Sequence, residues 1–225
     1  MRNKYYPLSY QERNPVSISL LTQKLPKNLK RQTLIPLLVG VLLMIGGYYW
    51  LGTDSAPTQV SNACSIFQEN PEWRQATAKV EKKWGVPAST QLAFIYQEST
   101  FQSDVEPPRS KLWGLIPWFR SSSAHGYTQA LDHTWEQYLK STHQTFASRE
   151  SFEDAADFIG WYVHSAHKRL HVPYSQTKAL YLAYHDGIGH YEDHKLPKSK
   201  WLAVAGAVEK QAMKYRQQLV TCRIK

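Results

Sequence analysis

Apolar positions along the chain follow two regimes. From Leu34 to Leu51 they run almost without interruption, as LIPLLVGVLLMIGGYYWL. Beyond residue 70 they recur every three or four positions among polar ones, which predicts amphipathic helices. NPEWRQATAKVEKKWG places Trp73, Ala76, Val80 and Trp84 at helical spacing. Asn70 is its N-cap candidate, Pro71 suits the first helical position, and Gly85 suits the end. VPASTQLAFIYQESTF predicts a second helix from near Pro87, with Leu92, Ile95 and Ser99 on one stripe and Phe94 and Glu98 on the next. Then follows QSDVEPPRSKLWGLIPWFRSSSAHGYTQAL, rich in Pro, Gly and Ser and without period, which predicts a long loop. Three further helices are predicted in TWEQYLKST, with Thr134 as cap, in SFEDAADFIGWYVHSAHKRL, and in SQTKALYLAYH. Ser151 and Asp154 of the second of these have capping-box spacing. A last helix starts near Ser199 and repeats Trp201, Val204, Val208, Ala212, Tyr215 and Leu219 on the way to Cys222. No strand pattern of convincing length and no internal repeat is found, so the expected fold class is all-α.

Length and charge refine this picture. The chain has 225 residues, room for one mid-sized domain and an appendage. Its net charge of +9 is unevenly held: residues 1–32 carry seven Lys/Arg and one acid, and the remainder holds 20 basic and 17 acidic residues. A nucleic-acid-binding domain carries its excess in the folded part, so that class is set aside. No residue from Gln32 to Thr53 is charged, and these 22 residues would span about 33 Å as a helix, the thickness of a bilayer core. Basic residues stop at Arg31, and Tyr48, Tyr49 and Trp50 close the other end as an interface belt. The expectation is an uncleaved signal anchor, with residues 1–31 a cytoplasmic tail, 32–53 a transmembrane helix in the lipid bilayer, 54–69 a tether and 70–222 an exported domain. Both cysteines, Cys64 and Cys222, lie on the exported side and bracket that domain. In an oxidising compartment they are expected to pair, closing a loop worth about 4–5 kcal/mol in the chain-entropy model.

Candidate chemistry centres on Glu98, an acid among aromatic and aliphatic neighbours in FIYQESTF. Apolar surroundings raise a carboxyl's pKa, so such an acid can stay protonated near neutral pH and donate its proton. Two downstream segments, GYTQA (Gly126–Ala130) and LAYHDGIG (Leu182–Gly189), follow QES (Gln97–Ser99) in order. Together the three segments resemble the signature of the soluble lytic transglycosylase family, over roughly residues 70–220. The resemblance implies a lysozyme-like helical domain that cleaves peptidoglycan glycan strands. It implies that Glu98 is the catalytic acid, with Ser99 its neighbouring helper. It implies a substrate-binding turn in Gly126, Tyr127 and Gln129, and a third motif in Ala183, Tyr184 and His185, whose tyrosine orients the carboxylate. Tyr127 and Thr128 stand where the family pattern has Leu and Met, and His185 where it has Asn. Glu98 and Gly126 are separated by 28 positions, longer than the pattern, and the apolar loop accounts for the excess.

A lytic transglycosylase needs one carboxyl group, because the sugar's own C6 hydroxyl attacks C1 and a 1,6-anhydromuramoyl end results. A hydrolytic muramidase needs a second carboxylate, for which Asp104, Glu106 and Asp186 are the candidates. A wall-binding or scaffold subunit of an envelope-spanning secretion or transport machine, with the cleft kept and turnover lost, is the other alternative. His164, His167 and His171 lie along one helix, but no HExxH arrangement accompanies them, and no metal or cofactor is expected. The loop KLWGLIPWF has three readings: contact with the membrane surface, aromatic walls for a glycan strand, or a cover over the helical core.

Overall fold

The computed structural model describes residues 36, 38–44, 55–112, 116–120, 122–193 and 199–222, with backbone alone for 109–112, 116–120 and 199. The chain divides into two units, Met1–Thr53 and Asp54–Lys225. In the first, residues 38–44 are helical and their large apolar side chains are exposed, from 48% at Val39 to 79% at Met44. Among the described residues no helix is long and apolar enough to cross a membrane. The rest of the expected 32–53 span, and the 1–31 tail, lie outside the described residues.

Among its described residues the second unit is all-α apart from one small hairpin. Its helices are α1 (Ala63–Glu69), α2 (Pro71–Trp84), α3 (Ala88–Ser99), α4 (Asp132–Thr142), α5 (Phe152–Leu170), α6 (Thr177–Asp186), α7 (Ile188–Glu192) and α8 (Ser199–Thr221). The expected 54–69 tether is shorter than predicted, because α1 occupies its second half. Asn62 caps α1 by accepting from the Cys64 and Ser65 amides, and Ile66 and Phe67 are buried. The expected aperiodic loop likewise contains two antiparallel strands, β1 (Arg109–Leu112) and β2 (Ile116–Arg120), pairing Leu112 with Ile116. Strands this short leave little period to read. The Trp and Phe side chains of KLWGLIPWF lie outside the described residues.

Capping chemistry also departs from the sequence in places. Asn70 precedes α2, but its side chain donates to the Ile66 carbonyl and closes α1 instead. Helix α4 starts at Asp132 with Leu131 in the cap position, three residues before the expected cap Thr134. Ser151 does accept from the Asp154 amide. Asp154 in turn accepts from the Ser148 amide, so the capping box is half formed.

Helix α3 forms the centre of the domain. Eight of its 12 residues are buried, and it packs against α2, α5 and α8. A helix covered on several sides needs apolar residues around most of its circumference, which accounts for the aromatic and aliphatic neighbours of Glu98 in FIYQESTF. Gln91, fully buried, donates to the Thr77 and Val86 carbonyls and ties α3 to α2. Gly160 lets α2 approach α5 closely: a Cβ there would lie 2.5 Å from Val80 and 2.6 Å from Trp84. Trp73 stacks on Phe152 at 3.9 Å and completes this layer.

Cys64 and Cys222 are bonded, with Cα atoms 5.7 Å apart. The bridge joins the first turn of α1 to the end of α8. The Ala63 amide also donates to Gln218, and the Tyr215 hydroxyl donates to the Val60 carbonyl. The bridge closes a loop of 158 residues. Exchanging both cysteines for serine is therefore expected to lower unfolding stability in urea by up to about 4–5 kcal/mol. An unchanged denaturation midpoint would show that the non-covalent contacts between α1 and α8 suffice.

Candidate active site

Glu98 occupies the last turn of α3, where the buried helix reaches the surface. The helix is ended by two successive residues in the left-handed region, Thr100 (φ 54°) and Phe101 (φ 61°). Neither is glycine, and a β-branched residue in that region costs on the order of 1–3 kcal/mol. The compensation is packing: the reversal drives Phe101 inward, fully buried and stacked 5.8 Å from Trp73. The end of α3, and Glu98 with it, is thereby anchored to the core.

The carboxyl of Glu98 opens onto a cleft of about 570 Å³. One wall is the turn that carries Gln129 and leads to Leu131, and helix α4 adds His133 and Thr134. Phe158 and Tyr162 of α5 form another wall, and Tyr184, His185 and Asp186 of α6 the third. Among the described residues no lysine or arginine lines this cleft. Burial therefore acts on Glu98 without a cation to offset it, and its pKa rises from the ordinary 4.5 to about 7. One hydrogen bond opposes the rise. The Tyr181 hydroxyl donates to Glu98 Oε1 at 2.8 Å, which favours the ionised form. Burial in turn lifts the ionisation of Tyr181 and Tyr184 far above its usual range, with the Glu98 charge adding to it. Both hydroxyls remain neutral donors.

The turn before α4 is held from outside the expected motifs. Gly126 has φ +73°, and a Cβ there would lie 2.2 Å from the Arg149 carbonyl oxygen, so only glycine fits. The Tyr127 amide donates to that same oxygen. The Arg149 guanidinium donates to the carbonyls of Ser123 and Ala130 and pairs with Asp132 at 2.8 Å. Gln129, itself at φ 50°, donates through Nε2 to the Val105 and Gly126 carbonyls.

The residues expected from the sequence separate into two groups. Glu98, Gln129, Tyr184 and His185 line the cleft together. Ser99, Gly126 and Tyr127 do not. The Ser99 hydroxyl bonds back to the Ile95 carbonyl at 3.2 Å within its own helix. Tyr127 is fully buried, edge-on to Trp73 and Phe152, in the core beneath the turn. Tyr184 is in the cleft wall, but its hydroxyl donates to the Thr128 carbonyl at 2.6 Å, and Tyr181 is the donor to Glu98. Tyr181 had a sequence signal, since it stands three residues before Tyr184 on one helix face, the face that meets Phe94. Arg149 had none, because its role depends on a backbone approach between distant segments.

Of the candidate second carboxylates, Asp186 lines the cleft, with one oxygen 2.8 Å from His185 Nδ1. Asp104 and Glu106 do not line it, and Glu106 pairs with His125 at 3.5 Å. His164 bonds the Tyr174 hydroxyl and the Trp84 carbonyl, and His167 meets the Val172 carbonyl, so this pair is built into the packing of α5. Among the described residues no group of His, Cys, Asp and Glu could hold a metal ion.

No curated protein matches the chain. The family model described as "Transglycosylase SLT domain" matches residues 37–222, which take in the described helical unit from its first helix to Cys222 and every cleft residue named above. The chain belongs to the transglycosylase SLT domain family, the family of peptidoglycan lytic transglycosylases that its three sequence segments resemble.

Proposed function

We propose that this protein is a membrane-anchored lytic transglycosylase that cuts the β-1,4 bond between MurNAc and GlcNAc with Glu98 as sole acid and base. The observation that carries this reading is the Glu98 carboxyl, facing a cleft of about 570 Å³ with its pKa lifted to about 7. Protonated Glu98 gives its proton to the leaving C4 oxygen of GlcNAc as the C1–O bond breaks. The C6 hydroxyl of MurNAc then attacks C1, and the Glu98 carboxylate takes that hydroxyl's proton. The products are a 1,6-anhydromuramoyl end and a free GlcNAc 4-hydroxyl. No water is consumed, and Glu98 ends protonated as it began. A group titrating near neutrality is suited to both steps, since neither protonation state is costly to reach.

A hydrolytic outcome is the second reading, and Asp186 is its support. Among the described residues it is the one other acid lining the cleft. Acting as a base for water, it would give reducing ends in place of anhydro ends.

Residues 1–53 support a location at the membrane. The uncharged stretch from Gln32 to Thr53, with seven basic residues in the segment before it and no Lys or Arg after it until Arg74, supports an inner-membrane anchor of a Gram-negative cell and a domain in the periplasm. At such a position the enzyme would open the wall locally for an envelope secretion or transport machine. The protein is expected in the membrane fraction and to resist alkaline carbonate extraction; release by carbonate would contradict the anchor.

Glu98→Gln is expected to abolish anhydro products from purified sacculi with the fold retained, and wild-type turnover by this variant would refute the mechanism. Since the protonated acid starts the reaction, kcat/KM should fall about tenfold per pH unit above pH about 7. Stability changes in the linked direction. The native state holds the Glu98 proton more tightly than the unfolded chain does, so stability is lost as pH rises from 4.5 through about 7. Glu98→Gln removes that loss and should gain on the order of 3 kcal/mol relative to wild type above pH 7, and little below pH 4.5. Parallel denaturation curves at acid and alkaline pH check this.

A further inference from the structure

Two tyrosines one turn apart on α6 face the end of α3, and one of them reaches the acid. Tyr181 donates to Glu98 Oε1 at 2.8 Å, whereas the Tyr184 hydroxyl is engaged by the Thr128 carbonyl at 2.6 Å. The two rings also pack differently. Tyr181 is 2% exposed and meets the edge of Phe94 at 5.2 Å, and Phe94 lies one turn before Glu98 on α3. The donor is thus registered against the same helix that carries the acid. Tyr184 meets Phe94, Phe158 and Tyr162, and ties α6 to the turn on the opposite wall.

We propose that Tyr181, and not the tyrosine of the third motif, is the positioning residue for Glu98: by occupying Oε1 it confines the acidic proton to Oε2, which becomes the oxygen that serves the glycosidic bond. This inference rests on the reading of Glu98 as acid and base. A carboxylic acid offers one O–H, and the oxygen that already accepts a hydrogen bond serves as the carbonyl-like one. Tyr181 can hold this orientation throughout, because burial keeps its own proton in place. When Oε2 gives up its proton, the Tyr181 bond becomes one from a neutral hydroxyl to a carboxylate, which is shorter and stronger. The interaction therefore grows as the reaction proceeds, which is the condition for accelerating a step. Oε2 then recovers a proton from the C6 hydroxyl, and Tyr181 transfers none.

The same bond limits how far burial raises the Glu98 pKa. The other titratable groups on the cleft wall are His133 from α4, Tyr162 from α5, and Tyr184, His185 and Asp186 from α6. Among the described residues α2 and α8 add none there. His185 and Asp186 are 2.8 Å apart and offset each other when both are charged.

The test compares Tyr181→Phe with Tyr184→Phe in the full-length protein. Infrared difference titration of the carboxyl band, with Glu98→Gln as blank, reads the Glu98 proton without relying on turnover. In Tyr181→Phe the titration should move up by about one pH unit, the scale of one lost hydrogen bond to a charged group. The alkaline limb of kcat/KM should follow it, with kcat about tenfold lower and KM unchanged, because Tyr181 does not line the cleft. Tyr184→Phe should leave the Glu98 titration where it is. An unmoved titration in Tyr181→Phe, or the shift occurring in Tyr184→Phe instead, overturns the assignment. If Glu98→Gln still forms anhydro ends, the underlying reading fails. If that variant is inactive and Tyr181→Phe titrates as wild type, the positioning role alone fails.

Discussion

The site depends on a carboxyl group held at the end of a buried helix, where ionisation is costly and a single neutral donor moderates that cost. Burial raises the Glu98 pKa to about 7, and the Tyr181 hydroxyl pulls the other way. A lysine or arginine in the cleft would stabilise the carboxylate and leave an acid ionised at neutral pH, with no proton to give. The described lining contains neither: beside Glu98 it presents aromatic rings, aliphatic side chains, the uncharged Gln129 and Thr134, two histidines and Asp186. The same choice makes the site unfavourable for folding at neutral pH, which is the usual relation between a prepared active site and stability.

The rest of the unit holds that helix end still. Phe101, in the left-handed region, is driven onto Trp73, and Trp73 is stacked on Phe152 at the start of α5. Arg149, just before α5, carries the turn whose Gln129 lines the cleft. The two walls on either side of Glu98 are thus fixed to one aromatic layer, and Tyr184 closes the gap between them through the Thr128 carbonyl. The disulfide at the far end joins α1 to α8, the helix packed along α3.

Much of this was legible in the sequence. The six longer helices were readable because each repeats apolar residues at three and four over several turns, and Gly85, Pro71 and Ser151 mark ends as expected. Glu98 was readable because an acid within an apolar helix stands out, and because two ordered motifs follow it. The short helices α1 and α7 and the hairpin were missed, since helices of seven and five residues and strands of four and five give too little period to register. The tyrosine assignment was decided by tertiary packing. Tyr181 and Tyr184 share a helix face, and which hydroxyl reaches Glu98 depends on where the Thr128 carbonyl lies, 56 residues away in the chain. Ser99 and Tyr127 were placed in the site by motif adjacency, but helical and turn geometry direct them into the core.

The central claim is that one carboxyl suffices because the substrate supplies its own nucleophile. Digestion of purified sacculi in heavy-oxygen water, followed by mass spectrometry of the released muropeptides, tests it most directly. The account predicts anhydromuramoyl ends that carry no solvent oxygen. Reducing ends labelled with one heavy oxygen, formed at the rate of total bond cleavage, would contradict it and make water the nucleophile.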